Sequence, residues 1–184
     1  MAKIQINLVS RIASDKDSFN ILLQLAEQLI KEKVTDFEIL FIGEVSEEVI
    51  FQKIMSQAEH LKIADKIRFT KKSIPLIQLD DQTKSGYFFN FTVGLFLGYS
   101  SIDAIQLNLK SIFYNADPSA SMEKKTYINS CENINDVVEL IKLIDLNKNK
   151  VDEEIYLNNE KMRAAFSLTS KEEDALLALI IPKK

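Results

Sequence analysis

Short apolar runs alternate with segments of helical periodicity along most of the chain. The runs IQINLV and FEILFI contain few polar residues, which is typical of buried parallel strands. From Phe19 to Lys33, apolar residues recur at intervals of three and four, which predicts an amphipathic helix. The predicted strands are 4–9, 37–42, 66–69, 86–91 and 111–114, with a short final strand at 125–128. The predicted helices are 19–33, 46–61, 101–107 and 135–144, with a short helix or turn at 74–79 and two helical pieces within 147–180.

The alternation of strands and helices determines the expected fold class. It indicates βαβ units, and therefore a parallel sheet covered by helices on both faces. With right-handed crossovers the fold is α/β, a three-layer doubly wound Rossmann-like sheet. We expect a single domain over residues 1–184, with a core at 4–145 and a C-terminal helical segment at 147–180 packed back on it.

Three loops are expected at the carboxyl edge of this sheet, where such folds bind their ligands. They are 10–17, 43–46 and 92–101. The chain has one histidine, His60, and one cysteine, Cys131, which argues against zinc sites and Cys–His or Ser–His nucleophiles. The chemistry is therefore expected from carboxylates, basic side chains and backbone amides.

Charge and hydropathy exclude further classes of function. The net charge of −4 argues against a general nucleic-acid-binding surface. The longest apolar stretch, 87–99, is shorter than the roughly 20 residues that span a bilayer. No basic patch followed by an apolar core opens the sequence, and a lone cysteine forms no internal disulfide, so we expect a cytoplasmic protein.

The loop after the first strand resembles a motif in the donor domain of family 4 glycosyltransferases. In that family a Gly-Arg pair is followed, about five residues beyond the arginine, by a lysine and usually a glycine. Arg11 and Lys16 match in type and spacing, whereas Ser10 and Asp17 replace the two glycines. Gly43, after the run FEILFI, matches the glycine that ends the family's next strand.

A second segment, GYFFNFTVGLFLGYSSIDAI, resembles the family's strand, loop and helix that carry two glutamates. Aligning 102–104 with the family's Leu-Glu-Ala places Asp103 at the second glutamate and Leu95 at the first. Gly98 then matches the second glycine of the Glu-Gly-Phe-Gly turn. The Gly-x-Pro-Val that follows in the family is replaced by Asn-Leu-Lys-Ser at 108–111.

The resemblance implies the C-terminal, donor-binding half of a retaining GT-B glycosyltransferase. Such an enzyme transfers a hexose from a UDP- or GDP-sugar to a glycan or lipid-linked acceptor and requires no metal cofactor. The implied diphosphate-binding residues are Arg11, Lys16, Gly98, Tyr99 and Ser100, the implied ribose ligand is Asp103, and the implied donor-cleft loops contain Gly43, Lys71 and Leu95. Arginine and lysine suit phosphate oxygens, and a helix amino end supplies free N–H groups.

The same resemblance implies a partner for this chain. An N-terminal acceptor-binding domain would be missing from these 184 residues, and peripheral membrane association at the inner face would occur through it. Because transfer requires an acceptor placed against the donor, we expect the isolated chain to be inactive.

Two other interpretations remain open from the sequence. The replaced glycines and the leucine at 95 favour a catalytically degenerate GT-B relative, such as an accessory Sec subunit that acts through protein–protein contacts. The other is a flavodoxin-like or receiver-like signalling module. A receiver domain needs an acidic cluster at the end of its first strand, and this sequence lacks one. Asp103 also fits a residue that merely complements a helix dipole, and the two glycines fit ordinary turns.

Overall fold

Six parallel strands form one sheet in the computed structural model, which describes residues 3–16, 18–92, 98–115, 129–166 and 169–180. The strands are β1 (Ile4–Val9), β2 (Phe37–Ile42), β3 (Ile67–Phe69), β4 (Tyr87–Thr92), β5 (Lys110–Asn115) and β6 (Ser130–Cys131). The helices are α1 (Ser18–Lys31), α2 (Glu48–His60), α3 (Asp81–Lys84), α4 (Tyr99–Gln106), α5 (Ile134–Phe166) and α6 (Ser170–Ile180). Short 3-10 helices occupy Ala64–Lys66 and Leu76–Gln78.

The predicted α/β fold is confirmed. The first five predicted strands agree with the observed strands to within one residue at each end, and all strand pairs are parallel. The predicted strand at 125–128 lies outside the described residues, and the last described strand is β6. The short helix α3 was not predicted, because four polar residues (DQTK) carry no helical periodicity.

The C-terminal segment is helical, as expected, but its division differs slightly from the prediction. α5 continues through the residues that the sequence marks as a linker, and the helix kinks at Asn147, whose φ of −150° and ψ of 63° are not helical. The second half of α5 and the separate helix α6 are the two predicted pieces. None of the described helices is long and apolar enough to cross a membrane.

The order of strands across the sheet is β3-β2-β1-β4-β5-β6. The chain therefore builds outward from β1 in one direction and then, after β3, returns to the other side of β1. The right-handed crossovers place the connections of the two halves on opposite faces of the sheet. A crevice is expected at the carboxyl ends of β1 and β4, where the order reverses.

Side chains alternate between the two faces of the sheet and form two cores of unequal size. The larger core packs α1, α2 and α5 against strand residues such as Ile6, Ile39 and Phe89. The smaller core packs α4 and the 3-10 helix Leu76–Gln78 against the opposite face, through residues such as Phe88. Neighbouring residues of β4 thus point into different cores, which explains why the buried strands have no polar alternation.

A buried ionic cluster lies at the amino edge of the sheet. Lys110, the first residue of β5, is 4% exposed, and its Nζ lies 3.0 Å from Oδ2 of Asp152 in α5. The hydroxyl of Tyr87 donates to Oδ1 of Asp152 at 2.6 Å, and Nζ of Lys148 donates to that hydroxyl at 3.1 Å. These contacts attach the second half of α5 to the sheet, at the edge opposite the crevice.

Burial lowers the pKa of Lys110 from its ordinary value of 10.5 to about 8, against the opposing attraction of Asp152. Between these two values the unfolded chain binds the proton more tightly than the folded protein does. The free energy of unfolding therefore rises with pH in this window. The cost of holding a buried ammonium is fully present below pH 8 and is relieved as the pH rises.

We expect the variant Lys110→Met to lack this pH dependence. From about pH 7 to about pH 9, the free energy of unfolding of the wild type should rise by about 1 kcal/mol relative to that of the variant. Urea denaturation of both proteins at several pH values measures this difference, and groups remote from Lys110 contribute equally to both proteins. Parallel pH profiles for the two proteins would contradict the prediction.

Candidate functional site

A cleft of about 450 Å³ opens where the strand order reverses, at the carboxyl ends of β1 and β4. It is lined by the end of β1 and the loop that follows, by the start of α1, by the end of β4 and by the start of α4. The lining residues are Leu8, Val9, Ser10, Arg11, Asp15, Lys16, Ser18, Phe89, Asn90, Phe91, Gly98, Ser100 and Ser101. Four of the residues predicted to bind a ligand, Arg11, Lys16, Gly98 and Ser100, therefore share one cleft.

The two predicted cations meet on a single carboxylate in this cleft. Nη2 of Arg11 lies 2.7 Å from Oδ2 of Asp15, and Nζ of Lys16 lies 3.5 Å from the same oxygen. The three side chains are 40–53% exposed, so the ion pairs are accessible to a ligand from solvent. The roles of Arg11 and Lys16 as phosphate ligands stay predictions.

The loop that carries these cations is anchored at its centre. Ile12 and Ala13 are buried, and Ile12 forms a parallel bridge with Val45 in the next loop. Both the N–H and the hydroxyl of Ser14 donate to Oε1 of Glu47, at 3.0 and 2.9 Å. The apolar centre thus fixes the loop to its neighbour, while the charged residues on either side stay exposed.

Gly43 packs against the backbone of this loop and does not line the cleft. A Cβ on Gly43 would lie 2.0 Å from the carbonyl oxygen of Ser10, so the close approach of the two loops requires a glycine. The N–H of Ser10 donates to the carbonyl of Ile42, and the N–H of Gly43 donates to Oγ1 of Thr70. Gly43 therefore acts on the cleft through the position of the loop that bears Arg11.

The amino end of α4 forms the opposite wall of the cleft. Gly98 is the N-cap of the helix, with φ of −67° and ψ of 159°, and as a glycine it supplies no capping side chain. The first N–H groups of a helix have no intrahelical acceptor, and they carry the positive end of the helix dipole. Ser100 lines the cleft, whereas Tyr99 is 88% exposed and is not among the lining residues.

Asp103 lies outside the cleft, in a neighbouring groove of about 430 Å³. The groove runs between α4 and the 3-10 helix Leu76–Gln78. Its lining residues are Pro75, Leu76, Ile77, Ile102, Asp103, Gln106 and Leu107. The sequence predicts Asp103 in the first turn of a helix at 101–107, but this is wrong: α4 begins at Tyr99, and Asp103 is its fifth residue. Its ribose contact stays a prediction.

Of the remaining predicted residues, Lys71 lies outside the cleft lining. It adopts a left-handed φ of 56°, and its Nζ lies 4.4 Å from the centre of the Phe51 ring. Leu95 lies outside the described residues.

Sequence reasoning missed several polar residues of the cleft, among them Asp15 and Asn90. Asp15 stands between Arg11 and Lys16, and its charge and position were the available signal. Asn90 interrupts the apolar strand YFFNFT, is buried, and donates from Nδ2 to the carbonyl of Phe88 at 2.9 Å. Among the described residues, no group of three His, Cys, Asp or Glu is arranged to hold a metal ion.

Several solved structures share this architecture. A glycosyltransferase from Rickettsia africae superposes with a TM-score of 0.68 at 17% identity, over 95% of this chain and 46% of that one. The C-terminal domain of a group 1 family glycosyl transferase, LpcC from Francisella tularensis, gives 0.58 at 12% identity, over 90% of this chain and 86% of that one. The Anabaena protein HepE, in complex with UDP and glucose, gives 0.69 at 12% identity, over 97% and 48%.

This chain has the fold of the C-terminal domain of a GT-B glycosyltransferase. It spans about half the length of the Rickettsia and Anabaena proteins. No protein-family model matches the sequence, and no curated protein is significantly similar to it. At identities of 12–17%, what the GT-B structures share with this chain is the fold.

The two glycines near the cleft should respond differently to an added methyl group. Gly43→Ala should lower the free energy of unfolding by about 1–3 kcal/mol, because its Cβ meets the backbone of Ser10. Gly98→Ala should lower it by less than about 1 kcal/mol, because no described residue other than its chain neighbours lies within 4 Å of its Cβ, its φ is negative, and only the weaker N-cap preference of alanine remains. Urea denaturation of both variants measures the contrast, and equal stabilities would refute it.

Proposed function

We propose that this chain is the nucleotide-sugar-binding domain of a retaining glycosyltransferase that uses a UDP- or GDP-sugar. The enzyme would transfer a hexose to a glycan or lipid-linked acceptor. The observation that carries the proposal is that Arg11, Lys16 and the amino end of α4 line one cleft at the reversal of strand order. The fold adds support, since HepE, which shares it, was solved with UDP and glucose.

The electrostatics of the cleft suit a diphosphate. Arg11 offers a planar fork of donors for two oxygens, and Lys16 offers a compact charge for a third. The start of α4 faces the same space and contributes backbone N–H groups. When the sugar–phosphate bond breaks, negative charge accumulates on the diphosphate. Donors already fixed at that place stabilise the transition state more than the ground state.

The groove beside the cleft suits the nucleoside. Consecutive residues of one helical turn face the two cavities, with Ser100 and Ser101 in the cleft and Ile102 and Asp103 in the groove. A ligand that places its diphosphate at the start of α4 would extend along the helix into this groove. There the carboxylate of Asp103 would accept hydrogen bonds from ribose hydroxyls, and the apolar lining would contact the base.

The proposed enzyme needs a second domain for the acceptor. The chain spans 46% and 48% of the Rickettsia and Anabaena proteins, which leaves room for such a domain in proteins of this fold. Proximity of donor and acceptor supplies a large part of the rate of group transfer. We therefore propose that the isolated chain binds the donor without transferring its sugar, and that the complete enzyme works in the cytoplasm, at the inner face of the membrane.

Removal of either cation should weaken nucleotide binding. We expect Arg11→Ala and Lys16→Ala each to cost about 1.5–3 kcal/mol of UDP or GDP binding free energy, the range for hydrogen bonds to charged groups. Isothermal titration calorimetry on the 184-residue chain measures this loss. The matched controls are Arg68→Ala and Lys31→Ala, which remove exposed, ion-paired cations outside the cleft.

The outcomes of this titration separate the candidate functions. Loss of affinity in the two cleft variants but not in the controls supports the donor site. Equal affinity in all variants would place the nucleotide elsewhere. No binding of any nucleotide at millimolar concentration would favour the accessory, protein-binding function over the enzyme.

The sugar itself should add little affinity. Leu95 occupies the position at which the family carries a glutamate, and a leucine accepts no hydrogen bonds from sugar hydroxyls. UDP and UDP-glucose should therefore bind within about threefold of each other, whereas Leu95→Glu should favour the sugar nucleotide by about tenfold. Competition titrations measure both ratios. A strong preference of the unmodified chain for UDP-glucose would show that other residues recognise the sugar.

A further inference from the structure

The carboxylate of Asp15 forms ion pairs with both cations of the candidate donor site. Oδ2 of Asp15 lies 2.7 Å from Nη2 of Arg11 and 3.5 Å from Nζ of Lys16, and all three residues line the cleft. A diphosphate that bound there would need the same two cations. It would also place negative charge beside the Asp15 carboxylate, and like charges at this separation repel.

We propose that Asp15 is an internal counterion of the cleft, which holds Arg11 and Lys16 in the free protein and competes with the diphosphate for them. The inference rests on the proposed function, because it assigns Asp15 a role in the donor site. Asp15 holds the two cations close together, although they repel each other, and so keeps the site preformed. It also lowers the affinity for the nucleoside diphosphate product and thereby favours its release.

The geometry allows the carboxylate of Asp15 to be replaced by a diphosphate at a small cost in free energy. The Asp15 side chain is 53% exposed, so it can turn into solvent without opening the core. The backbone around it is held independently of the carboxylate, since the N–H of Lys16 donates to the carbonyl of Ala13, and Ala13 itself is buried. The carboxylate can therefore leave the two cations while the loop that positions them stays in place.

The test is whether removal of the negative charge strengthens anion binding. We expect Asp15→Asn to bind UDP and inorganic pyrophosphate about three- to tenfold more tightly than the wild type at low salt, in EDTA. The gain should shrink at about 0.5 M salt, because the pairs are exposed and therefore screened. Asp15→Glu, which keeps the charge, should behave like the wild type.

The matched control is Asp65→Asn, which removes an exposed aspartate paired with Lys66 at 3.5 Å and outside the cleft. It makes the same change in net charge and should leave both affinities unchanged. A purely structural role for Asp15 would not produce tighter binding, because a disturbed loop would weaken it. Thermal unfolding of each variant shows that the chain is folded during the titration.

The results distinguish this inference from the proposed function. If Arg11→Ala weakens UDP binding and Asp15→Asn leaves it unchanged or weaker, the donor site stands and the counterion role is wrong. If Asp15→Asn binds less tightly only with Mg²⁺ present, Asp15 holds a metal instead, which also overturns the inference. If pyrophosphate binds more tightly to Asp15→Asn while nucleotides do not bind, the counterion stands and the donor function falls. No anion binding by either protein overturns both.

Discussion

β1 pairs in parallel with β2 on one edge and with β4 on the other, and the position of the cleft depends on this double pairing. Right-handed crossovers place α1 and α2 on one face of the sheet and the connections around α4 on the other. The loop that leaves β1 and the amino end of α4 therefore lie on different sides of the cleft. The position of the cleft is thus set by the topology of the backbone, and the side chains determine only what it can bind.

The two ends of the sheet use ionic pairs in different ways. At the amino edge, Lys110 is withdrawn from water and pairs with Asp152, which Tyr87 and Lys148 also contact, so the removal of Asp152 would leave a buried ammonium without its carboxylate. At the carboxyl edge, Arg11 and Asp15 are half-exposed, and such a pair contributes little to stability. A weak pair is easily exchanged for a ligand, whereas a buried pair fixes the helix α5 to the sheet. The structural and the exchangeable charges are thus separated by the length of the strands.

The fold was predictable from the sequence because burial on both faces makes each strand a short apolar run. The candidate site was less predictable, since it depends on contacts between distant segments. Lys71 was assigned to the site from its loop, but its ammonium contacts the ring of Phe51, which lies in α2. Asp103 was assigned to the first turn of a helix starting at Ser101, but α4 begins at Tyr99, so Asp103 lies beyond the first turn and lines a separate groove. The requirement for Gly43 follows from a backbone approach that no sequence pattern reveals.

The departures from the family motif do not affect all parts of a nucleotide-sugar site equally. Anion binding requires cations and helix N–H groups, and Arg11, Lys16 and the start of α4 supply both in one cleft. Ser10, which replaces one of the family's glycines, lines that cleft. The close approach of the two loops brings Gly43 against the backbone of Ser10, so it requires a glycine at position 43 and not at position 10. In the family that the sequence resembles, the carboxylate that Leu95 replaces is expected to contact the sugar and not the diphosphate. Loss of sugar recognition is therefore compatible with nucleotide binding, and a protein that binds the nucleotide need not have kept the reaction.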